Sequence, residues 1–370
     1  MKDLEKYRGC LIGGAVGDAL GFPVEFVKDS HIFQKYGERG ITEYSLVNGV
    51  ASISDDTQMT LFTANGLLLG TTRAMTRGIM GSYPSYVALC YKDWLRTQTA
   101  DEFGFEPPEY AWLNNVPEMN HSREPGRTCI RCLMHDNLGS IASPSNNSKG
   151  CGGVMRVAPI GLYFEGKCYT SDEIDMIGAE TAALTHGHEL GYIPAAMLVH
   201  IIHLLAHKPE VTVLEAVVDA KKAVSRLFPH AEHLGEMLDL TDNAIRLAGE
   251  NEVDELVAIS GLGEGWVAEE TLAIAIYCSI KFENDFEKAI IASVNHSGDS
   301  DSTGALTGNI LGARLGMKAI PEKFLRNLEL RDTILEIADD LFHDCKITEH
   351  GDYRDEVWEQ KYIYHTYPNH

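Results

Sequence analysis

Two short acidic clusters, one near each end of the chain, restrict this sequence more than any other feature. Ser54-Asp55-Asp56-Thr57 is the first, and Ser297-Gly298-Asp299-Ser300-Asp301-Ser302-Thr303-Gly304 the second. Each sets acids beside hydroxyls just ahead of a run with helical spacing. Singly, each also reads as a helix cap or polar turn, where acids complement the helix dipole. Jointly, they mean that the fold either keeps them apart or gathers four carboxylates into one small space. Gathered acids do not all stay ionised without cations between them. An oxygen-only donor set selects a hard ion, Mg2+ or Mn2+, over zinc. A dinuclear site needs acids from at least two segments, and this pair supplies them.

Helical spacing recurs almost throughout, over 3–21, 56–69, 84–97, 172–185, 192–207, 211–227, 231–248, 267–281, 285–294, 302–316 and 321–343. Only 40–53 and 157–170 offer short extended pieces. The expectation is one all-α domain covering 1–370. Asp3, Ser171 and Asp172 are helix-start signals, and Pro194 and Pro321 suit first-turn positions. Gly13, Gly14 and Gly17 would weaken an isolated first helix. They also let another backbone come close, which predicts a central packed helix. The stretch 98–128, rich in Pro, Asn and Glu, reads as a long loop, and 143–153 as a second.

The formal net charge is -23. A surface this acidic repels phosphate backbones and anionic lipids, which argues against general nucleic-acid binding and membrane-surface binding. A local phosphate site built from backbone amides remains compatible with it. The eight cysteines are scattered, several within apolar runs, and read as buried free thiols. Met1-Lys2-Asp3-Leu4-Glu5-Lys6 is no apolar signal segment, and no uninterrupted apolar run is long enough to span a bilayer, so a cytoplasmic location is expected.

Other segments carry weaker signals. Glu25 follows Gly17-Asp18-Ala19-Leu20-Gly21 and suits a general acid or base beside a metal site, or a surface acid. Gly150-Cys151-Gly152-Gly153-Val154-Met155-Arg156 is a glycine-rich turn whose N–H groups would converge on a diphosphate. Its spacing matches neither a Walker loop nor a dinucleotide fingerprint. Arg156 would pair with phosphate or with the acids. His186, in Thr185-His186-Gly187-His188, reads as a ligand contact or a capping histidine. His200, His203 and His207 share one helical face without the acid of a zinc-protease helix, which favours a structural role. Cys129 and Cys132 have zinc-like spacing but no second pair.

These segments, in this order from residue 9 to about 317, resemble the ADP-ribosylglycohydrolase family. That family includes the dinitrogenase reductase-activating glycohydrolases and the arginine-specific ADP-ribosylhydrolases. The resemblance implies a compact orthogonal helical bundle with a dinuclear Mg2+ or Mn2+ cleft. It implies cleavage of the glycosidic bond between ADP-ribose and a modified side chain, with arginine favoured. Ser54, Asp55 and Asp56 would ligate the metals from one side, and Asp299, Asp301 and Ser302 from the other. Glu25 and Asp299 would be catalytic, with Glu25 approaching the scissile ribose. Gly150, Cys151, Gly152, Gly153, Met155 and Arg156 would cradle the diphosphate, and His186 would line the site. Trp266, in Gly263-Glu264-Gly265-Trp266-Val267, is added as an adenine-stacking residue. The implied partner is an ADP-ribosylated protein or a small ADP-ribose conjugate. The 98–128 loop and the tail from Tyr353 to Tyr367 fall outside the motifs. Two other readings stay open: an ADP-ribose-binding protein without catalysis, and a dinuclear hydrolase of another conjugate or small nucleotide.

Overall fold

The N-terminal helix α1 (Leu4–Gly21) is capped by Asp3, whose side chain accepts from the Glu5 N–H. The structure, a computed structural model, describes residues 2–104, 106–136, 138–250, 252–351 and 353–368. Residue 105, within the expected 98–128 loop, lies outside them. The chain continues through α2 (Asp29–Tyr36), α3 (Asp55–Arg77), α4 (Tyr83–Phe103), α5 (Arg127–Met134), α6 (Ala158–Tyr163), α7 (Ser171–Ala183) and α8 (Glu189–His207). It ends with α9 (Val213–Leu227), α10 (Leu234–Gly249), α11 (Glu255–Ser260), α12 (Ala268–Lys281), α13 (Phe286–Val294), α14 (Ser300–Leu315), α15 (Glu322–Leu325), α16 (Arg331–His343) and α17 (Glu356–Tyr362). Among the described residues, extended pairing is confined to isolated bridges at Val47–Val50, Ala51–Leu328 and Gly150–Val267. The fold is all-α.

Three expectations are corrected. Residues 157–170 are not extended: Pro159 sits in the first turn of α6, where its missing N–H costs nothing. Residues 321–343 are not one helix, because Leu330 turns left-handed (φ 57°) between α15 and α16. Pro194 lies inside α8 rather than in its first turn, since the His188 side chain caps that helix earlier. In α7 the start signal is Thr170, which forms a capping box with Glu173.

The pairing of α1 with α14 organises the core. A Cβ placed on Gly17 would fall 1.9 Å from the carbonyl oxygen of Gly304, and one on Gly13 2.3 Å from that of Gly308. The two backbones therefore touch along a glycine seam, as the α1 glycines led one to expect. The contact brings the C-terminal end of α1 over the N-terminal end of α14. Helix α8 is long and apolar enough to cross a bilayer, yet its apolar stretch is 94% buried within the fold, the pattern of a core helix.

The 98–128 segment is more ordered than its composition suggests. Asp93 accepts the N–H groups of Glu109, Tyr110 and Ala111 at 3.1, 2.7 and 2.8 Å. Short 3-10 turns follow at Trp112–Asn115 and Pro117–Met119. The C-terminal tail folds onto this segment. Tyr367 packs edge-on against Trp112, and the Asn115 amide donates to the carbonyls of His365 and Tyr367 at 2.9 and 3.0 Å. Trp358 anchors the tail to α3 through Nε1 donating to Thr72 Oγ1.

Candidate active site

The two acidic clusters meet. Ser302 Oγ donates to Asp56 Oδ2 at 2.8 Å, joining the N-terminal turns of α14 and α3. Donor oxygens of Glu25, Asp299 and Asp301 lie within 4.8 Å of one another. Asp55, Asp56, Asp299, Asp301, Ser302 and Glu25 all line one cavity of about 660 Å³.

Local structure explains the convergence. Ser54 caps α3, its Oγ accepting the Asp56 N–H at 3.2 Å, so the two acids that follow occupy the first turn. Asp299 caps α14, its Oδ1 accepting the Ser302 N–H at 3.3 Å. Both helices thus point positive ends and paired acids at one space. Asp18, on the α1 side of the seam, fixes the first cluster: its carboxylate accepts from the N–H of Ser54 and from both N–H and hydroxyl of Thr57. The sequence alone assigned Asp18 no role. A lone acid in the otherwise apolar run from Gly9 to Gly21 was the available signal, since buried carboxylates need partners. A further strut reaches Asp55, whose Oδ2 accepts the Gly126 N–H at 3.1 Å and whose own N–H donates to the Arg123 carbonyl. Arg123 is in turn held by buried Glu329 at 2.5 Å, which also accepts the Ile53 N–H.

Burial and mutual repulsion push these acids toward the protonated form. Asp55, Asp56 and Asp299 are raised well above the usual carboxylate range, by burial first and by neighbouring acids in part. Asp301 is also raised by burial. Glu25 is pushed up to about 10 by burial and then by Asp301 and Asp299. Asp18 rises to about 7 for similar reasons. Asp301 Oδ1 is buried with no hydrogen-bond partner among the described residues. An all-oxygen set with an orphaned buried acceptor fits hard divalent cations. A second donor group, Glu165, His203 and His207, lies away from this cavity. His203 Nδ1 contacts the Gly161 carbonyl there and His207 Nδ1 that of His203. His200 pairs with Asp175 at 2.7 Å.

The remaining expected residues divide. Gly150, Cys151, Gly152, Met155, His186 and Trp266 line the cavity. Cys151 Sγ donates to Asp299 Oδ2 at 3.1 Å. Gly152 is required by space, because a Cβ there would sit 2.9 Å from His186 Cε1. His186 is neutral, its pKa lowered to about 3 by burial and then by Arg156. Arg156 is a correction. It is fully buried, stacks on Tyr91, and donates to the Thr181 carbonyl and Thr185 Oγ1, so it pairs with neither phosphate nor the acids. Gly153 packs beneath the loop against the Gly191 carbonyl and is off the cavity wall, as is Ser54. The amide cradle is also thinner than expected, since the Gly150 N–H donates to Ser148 Oγ and that of Cys151 to the Trp266 carbonyl. Trp266 stacks on Phe26 with ring centroids 4.5 Å apart, both rings about half exposed. Phe26 was not anticipated. Its left-handed φ of 55° and its N–H bond to the Gly298 carbonyl set it at the mouth, features no local pattern announces. Cys129 and Cys132 are buried free thiols.

Known proteins share this arrangement of chain and fold. The model of the ADP-ribosylglycohydrolase family matches residues 1–350. ADP-ribosylhydrolase ARH3 of Mus musculus is 25% identical over 361 residues, covering 89% of this chain and 88% of the relative. The ADP-ribosyl-[dinitrogen reductase] glycohydrolase of Rhodospirillum rubrum is 26% identical over 329 residues, covering 87% and 90%. A solved structure titled ADP-ribosylglycohydrolase-related protein complex has the same fold, with a TM-score of 0.56 at 22% identity over 92% of this chain and 98% of that one. A match that runs through nearly every motif-bearing segment, and relatives aligned almost end to end, settle the affiliation: the chain belongs to the ADP-ribosylglycohydrolase family.

Proposed function

We propose that this protein is a divalent-cation-dependent hydrolase that releases ADP-ribose from modified arginine side chains of proteins. The observation that carries the reading is the Ser302–Asp56 hydrogen bond, which makes one oxygen-rich site of two remote clusters. Asp55, Asp56, Asp299, Asp301 and Ser302, which line the cavity, would hold two Mg2+ or Mn2+ ions, with Ser54 behind them capping α3. Such ions, when bound, neutralise the acids, bind ribose hydroxyls and orient a water.

The chain's own groups do the rest. Glu25 stands beside Asp299 and Asp301 at the half-buried edge of the cleft. From there it exchanges the proton that the leaving nitrogen of the guanidinium takes up. The buried carboxylates stabilise oxocarbenium character at the anomeric carbon. Thr128, on the α5 side of the cavity, is a polar group for the diphosphate, across from Gly150, Cys151 and Gly152. Trp266 and Phe26 offer aromatic faces for the adenine. A cytoplasmic setting belongs to the same proposal, since all eight cysteines are free thiols.

The arginine preference rests on the motif resemblance and on the dinitrogen reductase glycohydrolase among the relatives. The test is incubation with arginine-ADP-ribosylated protein, with and without Mg2+ or Mn2+, following free ADP-ribose. Release that requires the cation is the expected result. Binding without release would overturn catalysis, and release from serine-linked substrate alone would overturn the linkage.

A further inference from the structure

Next to the cleft, α5 forms the wall of a second open groove of about 600 Å³, lined by Pro125, Arg127, Ile130, Arg131, Met134 and His135. Pro125 and Arg127 line both spaces, so the groove continues directly from the cavity that holds the acids. We propose that this groove receives an acidic stretch of the modified protein next to its ADP-ribosylated side chain. The proposal rests on the functional reading in which the cleft takes an ADP-ribosylated protein.

Three observations support it. Arg127 and Arg131 are one helical turn apart, as are Ile130 and Met134, so α5 presents a cationic row beside an apolar row. Its opposite face is spent on the core, through Cys129, Cys132 and Leu133. Second, the chain carries 54 acidic residues against 31 basic ones, so acidic partners for arginine are plentiful in the sequence. Arg8, Arg96, Arg226, Arg246, Arg314 and Arg331 have such partners, whereas exposed Arg39, Arg77 and Arg354 have none among the described residues. Arg127 and Arg131 are exposed and take none among the described residues. Third, Met134 is 61% exposed, an apolar surface beside two guanidinium groups.

Guanidinium forks match carboxylates in geometry as well as charge. An acidic segment would otherwise meet only repulsion on a chain of net charge -23. Among the described residues the lining has no Phe, Tyr or Trp. A second nucleotide would lack the aromatic face its base prefers, whereas carboxylates flanked by apolar side chains match both rows.

The test compares three substrates: ADP-ribosyl-arginine, an arginine-ADP-ribosylated peptide with Asp and Glu flanks, and the same peptide with Asn and Gln flanks. The wild-type chain should cleave the acidic peptide with kcat/KM about tenfold above the neutral one, the size of one good charge-assisted contact. Raising the salt should shrink that ratio. Arg131→Glu should abolish the preference and leave ADP-ribosyl-arginine turnover unchanged, and Arg131→Lys should restore part of it. Equal rates on the two peptides, with ADP-ribosyl-arginine still cleaved, overturn the groove alone. With oligo(ADP-ribose) added as a control substrate beside these three, an Arg131→Glu defect confined to it also overturns the proposal, giving the groove to a nucleotide. Inactivity on all three substrates overturns the underlying functional reading and the groove with it.

Discussion

Gly17→Ala should damage both stability and catalysis, although residue 17 lies outside the cleft. The new Cβ would fall 1.9 Å from the Gly304 carbonyl oxygen and 2.9 Å from the Ala305 nitrogen. Ordinary C···O contacts need about 3.3 Å, so the helices must part locally by roughly 1.4 Å. Backbone lies on both sides of the clash, so no side chain is available to turn aside. Overpacking of this kind costs about 3 kcal/mol, the upper part of its usual range. With an unfolding entropy of about 2.1 cal/mol/K per residue, a chain of this length should lose about 4 °C in Tm. The second effect is geometric. Asp18 follows Gly17 directly and holds Ser54 and Thr57, while Asp301 and Ser302 ride on α14 just before Gly304. Parting the seam moves the two halves of the acid cluster relative to each other, and misplacement of about 1 Å costs roughly 100-fold in rate. Thermal unfolding and ADP-ribose release should be measured together. Gly235→Ala is the control: residue 235 lies exposed in α10 with nothing within 4 Å of its Cβ position, and should be neutral or slightly stabilising. Gly17→Ala matching Gly235→Ala in both Tm and rate would refute the seam as the device that aligns the acids.

Three further outcomes concern the site. Asp299→Asn and Asp55→Asn should each lose activity together with the Mg2+-induced rise in Tm, as read by thermal shift with and without chelator; near-normal turnover in either variant would count against the shared site. In chelator, the wild-type Tm should fall as pH is raised from about 4 through 7. Asp18 and its neighbours have folded pKa values above their unfolded ones, Asp18 at about 7, so the folded state binds more protons across this window and loses stability as they leave. Saturating Mg2+ should flatten that slope, and a metal-free protein equally stable at both ends of the window would contradict the buried-acid picture. Glu329→Gln should cost about 1–3 kcal/mol by denaturant unfolding, because it leaves Arg123 with a weakened partner in a partly buried pair. It should also raise the Mg2+ concentration needed for half-maximal activity, since Arg123 and Ile53 flank the turn that carries Asp55 and Asp56.

The aspartates, the glycine seam and most helices were legible because each imposes a local pattern. Paired acids ahead of a helical run, glycines at helical spacing and apolar residues at the 3.6-residue period are all visible without a fold. What stayed hidden depends on remote partners. Arg156 looked like a phosphate ligand because it ends a glycine turn; only the position of Tyr91 and Thr185 shows that its charge is used internally. The role of Asp18 is defined by Ser54 and Thr57, which reach it only after folding. Residues 98–128 read as loop because Pro and Asn disfavour long helices, yet Trp112, Leu113 and Met119 are fully buried there. Burial of this sort is set by tertiary packing and leaves no period to detect.

The bracing of the segment before α5 has a kinetic meaning. Tail residues clasp it at Asn115, Asp93 gathers its middle, and Glu329 grips it at Arg123. A strip fastened at three points does not swing shut over an arriving conjugate. The entropy of ordering it is spent when the chain folds, and not again when a conjugate arrives.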